Sequence, residues 1–133
     1  MSALVPQLAA FFAERGTAHG LAAAYLFGSE ARGSAHAGSD VDVAVLFSAE
    51  PPKGLAGLAL GLQGELERRF HRAVDLVVLN RAPADLVHRV LRDGKILAEP
   101  DRSHRIRFEV AKRNEYFDLL PFLRRYRGLE KPT

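Results

Sequence analysis

The 133 residues carry 47% apolar and 26% charged side chains and no cysteine. Those proportions suit one ordinary globular domain, expected over 1–133, and they exclude disulfide frameworks and thiolate metal sites. The net charge of +3 is uneven: residues 101–133 hold nine Lys/Arg against five Asp/Glu, residues 1–100 ten against eleven.

No basic run precedes the first apolar residues (Leu4, Val5, Leu8, Phe11, Phe12), and Pro6, Gln7 and Glu14 interrupt them. A signal peptide or membrane helix is therefore not expected, and a cytoplasmic location is. Ser2 can cap a first helix over about 3–15, ended by Gly16. Leu21–Phe27 is a short apolar run stopping at Gly28, which reads as a buried strand. Val41–Phe47 is richer in β-branched residues and stops before Pro51-Pro52; it is the second strand.

Residues 54–71 predict an amphipathic helix, with Leu55, Leu58, Leu62, Leu66 and Phe70 at three- or four-residue steps. Gly57, Gly61 and Gly64 form a second stripe on it, suited either to a close neighbour or to a loose first half. Ala73–Leu79 is the third strand, interrupted by Asp75, whose charge inside an apolar strand would be costly unless partnered. A turn at 80–83 leads to a helix over 84–92 stopped by Gly94, and 95–98 is a short edge strand. Asp101 opens a long C-terminal helical segment, about 101–127, which Pro121 should kink or split. Its basic, aromatic residues (Arg107, Arg113, Tyr116, Arg124, Arg125, Tyr126) offer either a docking surface or, the reading preferred here, apolar packing with only the charges exposed. The whole is an α/β (α+β) chain, a small mixed sheet flanked by helices.

The chemistry concentrates between the first two strands. Asp40 and Asp42 lie one residue apart, so both project on one face about 7 Å apart along the strand. By itself such a pair reads first as solvated turn carboxylates and only second as a site that an oxygen-seeking divalent cation would neutralise. A helical crossover makes the second and third strands parallel, bringing Asp75 to the same end as Asp42. If the first strand is antiparallel to the second, Gly28-Ser29 joins them. Gly28 lets a phosphate approach backbone, and Ser29 adds a hydroxyl and an N–H. Residues 29–32 could begin a short helix favouring anions. Arg32 can grip a polyphosphate, or pair with Glu30 or Asp42. No Gly-Lys-Ser/Thr follows, so this is not a Walker loop.

Gly28-Ser29, ten residues, then Asp40-Val41-Asp42, with Gly-Ser-x-Ala-Arg-Gly at the start and Asp75 later, resembles the polymerase-β-like nucleotidyltransferase superfamily. It looks like the minimal nucleotidyltransferase (MNT) branch, with a motif core of about 21–80. The resemblance implies that Asp40, Asp42 and Asp75 are catalytic metal ligands holding two Mg²⁺ ions. It implies that Gly28 and Ser29 hold ATP phosphates, with Arg32 a further candidate. After Asp75 only about 58 residues remain, little room for a substrate domain. In the MNT branch the acceptor is a HEPN-type toxin, an all-helical ribonuclease. The expected function is therefore Mg²⁺-dependent transfer of AMP from ATP to a toxin tyrosine, within a hetero-oligomer, with direct nucleic-acid binding and membrane association not expected. The alternatives are a non-catalytic antitoxin acting by complex formation, and a small-molecule (antibiotic-type) nucleotidyltransferase. The remaining histidines (His36 in the loop, His71, His88, His104) read as exposed or structural, and Tyr25 as core.

Overall fold

The computed structural model describes residues 4–28, 31, 33, 40–49 and 55–130. Helix α1 (Leu4–Arg15) leads into strands β1 (Leu21–Phe27) and β2 (Val41–Phe47). Helix α2 (Leu55–Phe70), strand β3 (Val74–Val78), helix α3 (Ala84–Asp93), strand β4 (Lys95–Ala98) and helix α4 (Arg102–Glu130) follow. The sheet order is β3-β2-β1-β4. β1 is antiparallel to β2 and β4, while β2 and β3 run parallel. The crossover through α2 dictates that parallel pairing, as the sequence order required.

Alternation along the strands divides the core into two layers. Val41, Val43, Val45, Phe47, Leu26 and Val74 pack with Leu8, Phe11 and Phe12 of α1 and Leu62 and Leu66 of α2. The opposite face uses Ala22, Ala23, Tyr25, Ala44 and Leu46, covered by Val87 and Val90 of α3 and by Phe108 of α4. Tyr25 is 2% exposed, the core residue expected. Its hydroxyl donates to Glu109 at 3.0 Å. Arg105 bridges Glu109 and Glu99, the latter at 2.7 Å, so a short polar chain fastens α4 across β1 and the end of β4. Burial first, then the adjacent Glu109 carboxylate, pushes the Tyr25 hydroxyl above its ordinary pKa of 10.0.

Some of the features expected from the sequence, namely the Ser2 cap, the Pro51-Pro52 boundary and the possible helix at 29–32, lie wholly or partly outside the described residues. Gly57 and Gly61 meet no close neighbour, since a Cβ at either would find nothing within 4 Å. Helix α4 runs through Pro121 without a break. Pro121 is exposed, so water can satisfy the carbonyl that its missing N–H leaves. Asp101, where the sequence opens this helical segment, caps it, its Oδ1 accepting from the His104 N–H at 3.1 Å. The packing reading of the tail holds for Tyr116, half-buried and stacked on His88, and fails further along, where Phe117, Phe122 and Tyr126 are 54%, 65% and 61% exposed. A 29-residue helix outruns a 10-residue α3 and a four-residue β4, so its far end extends past the elements it packs on.

Candidate functional site

The site residues gather where β1 leaves the sheet and β2 and β3 enter it. Phe27 is the Cα partner of Asp42 across β1–β2, and Asp42 is the Cα partner of Asp75 across β2–β3. Val41, Val43 and Val74 point into the α1–α2 layer, so Asp42 and Asp75 share the face covered by α3 and α4. Neighbouring strands lie about 4.8 Å apart, which sets the two carboxylate-bearing backbones side by side. Asp42 is half-buried; Asp40, immediately before β2, and Asp75 are exposed. β3 is an edge strand, so the desolvation cost expected at Asp75 does not arise; its charge faces water. Among the described residues no three His, Asp or Glu side chains converge closely enough to hold a metal ion. The donor chemistry, hard carboxylate oxygens on one strand end, nonetheless fits magnesium, which takes one or two protein carboxylates with substrate phosphates completing its shell.

Gly28 is built against this pair. Its φ is +71°, and a Cβ there would sit 2.1 Å from Asp42 Oδ2. Only glycine both adopts that conformation easily and leaves the carboxylate its place. Ser29 and Arg32, the other expected phosphate contacts, lie outside the described residues.

The edge strand is held by side chains that sequence reasoning missed. The Val74 N–H donates to Glu67 at 3.0 Å, and its carbonyl accepts from Gln63 Nε2 at 2.9 Å. Both residues sit on α2 and satisfy the outward-facing backbone of the residue just before Asp75. At the far end of the strand Asn80 pairs with both backbone groups of Phe47, at 2.8 and 2.9 Å. β3 is thus pinned at both ends. The Val41 N–H to Ala73 carbonyl bond of 2.9 Å adds to this at the carboxylate end. Gln63 and Glu67, one helical step apart on an otherwise amphipathic helix, were the available signal.

A cavity of about 220 Å³ opens beside the carboxylates, lined by Phe27, Gly28, Leu86, Arg89, Val90 and Asp93. It adjoins the glycine turn, has apolar walls from β1 and α3, and carries a guanidinium at its rim.

Comparisons with known proteins bear on the family and the fold. A protein adenylyltransferase, MntA, of Aphanizomenon flos-aquae (strain 2012/KM1/D3) is 38% identical over 81 residues, 56% of this chain and 54% of its own. The chain therefore spans about half the length of that curated relative. A solved toxin–antitoxin complex with AMP-PNP contains a chain 28% identical, with a TM-score of 0.70, covering 82% of this chain and 85% of that one. A complex of tri-AMPylated Shewanella oneidensis HEPN toxin with MNT antitoxin matches in fold, at 22% identity and a TM-score of 0.71 over 93% and 96% of the two chains. The family described as polymerase beta, nucleotidyltransferase matches residues 9–103, from α1 through all four strands. The chain belongs to that nucleotidyltransferase family.

Proposed function

We propose that this chain is a protein adenylyltransferase antitoxin, transferring AMP from ATP to a tyrosine hydroxyl of a HEPN-type toxin with which it assembles in the cytoplasm. The observation that carries the reading is the register placing Asp42 opposite Asp75 with Gly28 against the Asp42 carboxylate. The likeness to MntA and to toxin–antitoxin chains, one of them solved with AMP-PNP, supports the nucleotide and the partner class.

In this reading Asp40, Asp42 and Asp75 are the magnesium ligands. Bound magnesium supplies neutralising charge to the triphosphate and to the attacking oxygen. Gly28 offers close backbone approach to the phosphates, and Ser29 and Arg32 add donors beyond it. The acceptor oxygen forms a bond to the α-phosphorus, the bond to the β-phosphate oxygen breaks, and pyrophosphate leaves while the hydroxyl proton passes to solvent. Glu67 and Gln63 act on neither substrate; they hold Val74, and through it Asp75, in register.

The test is incubation with the cognate HEPN toxin, ATP and Mg²⁺, followed by intact mass of the toxin. An increment of AMP mass, absent with Asp42→Asn, is expected; no increment with the unaltered chain would refute the assignment. The alternative reading is neutralisation by complex formation alone. Survival of toxin-expressing cells carrying Asp42→Asn would select that reading.

A further inference from the structure

Helix α3 presents different residues on two sides. One side borders the cavity at the carboxylate end; the other forms a seam with α4. Along that seam lie a cavity of about 300 Å³, whose walls include Arg89, Arg92 and Arg127, and one of about 240 Å³, walled by Arg92, Leu91 and Arg113. His88 belongs to both, its ring flat on Tyr116 with centroids 3.8 Å apart and planes at 2°. That stack holds the two helices at a fixed separation and keeps the seam open on either side of it.

Charge in the seam is unbalanced. Four arginines face a single lining carboxylate, Asp85. Arg92 is paired with Asp93 at 2.9 Å. Arg89, Arg113 and Arg127 make no ion pair with a described residue. Guanidiniums collected in a concave surface focus positive potential, and each can take a carboxylate with two parallel bonds.

Arg89 gives the seam a direction. It lines both the seam and the cavity beside Gly28 and Phe27, so a chain lying in the seam leads to the Asp42–Asp75 end. The make-up of the walls argues for a peptide. Arg113 and Arg127 stand about 21 Å apart along α4, the reach of about six extended residues. Leu91 in the wall, with Phe117, Phe122 and Tyr126 exposed elsewhere on α4, adds apolar surface that a protein can cover.

We infer that the α3–α4 seam seats an acidic stretch of the acceptor protein, its carboxylates on Arg113 and Arg127, delivering the acceptor hydroxyl past Arg89 to the catalytic end. This rests on the protein-acceptor reading above and adds to it the chemistry of the docking segment.

A fluorescein-labelled Glu-Glu-Tyr-Glu-Glu peptide, followed by anisotropy without nucleotide or magnesium, tests it. Binding is expected with the unaltered chain, weakening as salt rises, and about tenfold weaker or more with Arg113→Glu combined with Arg127→Glu. Both side chains are exposed, so the thermal midpoint should hold; Arg113→Gln with Arg127→Gln, which removes charge without reversing it, should give a smaller loss in the same direction. No peptide binding, equal binding by the charge-reversed chain, or tighter binding of a single-stranded oligonucleotide of equal charge would overturn the inference. The assay contains no transfer step, so the two readings fail separately. AMP transfer to the toxin without peptide binding counts against the seam alone. Peptide binding without transfer counts against the adenylyltransferase assignment.

Discussion

The two faces of the sheet are built to different specifications. The α1–α2 face is large and apolar: Phe11, Phe12, Phe47, Leu8, Leu62 and Leu66 are all buried, and Phe11 meets Phe12 edge-on at 5.1 Å. The α3–α4 face is lined mostly by alanines, with Tyr25 and Leu46 among them. It is held in part by the Tyr25–Glu109–Arg105–Glu99 chain and carries Asp42 and Asp75 at its end. Small strand residues let the helices lie near the sheet without filling the space beside the carboxylates. One face stores stability; the other gives up apolar contact to keep a site open.

Four substitutions would break or sharpen that contrast. Asp42→Asn should abolish AMP transfer, by about 10³-fold or more (~4 kcal/mol), while chemical denaturation stays near that of the parent. A comparable loss of stability would mean that this face, too, is structural. Phe11→Ala, on the opposite face, should cost about 3 kcal/mol or more of unfolding free energy and leave transfer per folded molecule unchanged. Gln63→Ala should cost about 1–2 kcal/mol by leaving the Val74 carbonyl without its partner, and should lower transfer through the position of Asp75. If only stability moves, register at β3 does not depend on that clamp. Tyr25→Phe is the mildest, about 1 kcal/mol for one hydrogen bond, and its signature is in pH. A hydroxyl whose folded pKa is raised above the ordinary 10.0 contributes stability that is complete below that pH and lost as pH rises through the folded value. The Tyr25→Phe variant should lack this part of the alkaline loss, which denaturation midpoints from pH 9 upward would reveal.

The sequence alone brings Asp42 and Asp75 together, because an α2 crossover forces parallel strands and period-two alternation fixes the face. The edge position of Asp75 was not legible, since sheet order depends on which strand β4 joins. Its exposure then reversed the expected desolvation argument. Glu67 and Gln63 were not legible as a clamp, because nothing local says that an edge-strand backbone lies within their reach. The tail misled in part in the same way: its apolar residues read as packing, and only the lengths of the elements beneath show why Phe117, Phe122 and Tyr126 stay exposed.

The sequence by itself determined the element order, the parallel pairing of β2 with β3 and the motif that carries the chemistry. These rest on short-range rules: periodicity, glycine at a positive φ, and the handedness of a crossover. Only the tertiary structure decided which edge is open, which side chains clamp Val74, and that four arginines from two helices line one seam leading to the carboxylates. Those facts depend on contacts between residues distant in the chain, such as His88 on Tyr116 and Tyr25 on Glu109, whose pairing no local pattern encodes.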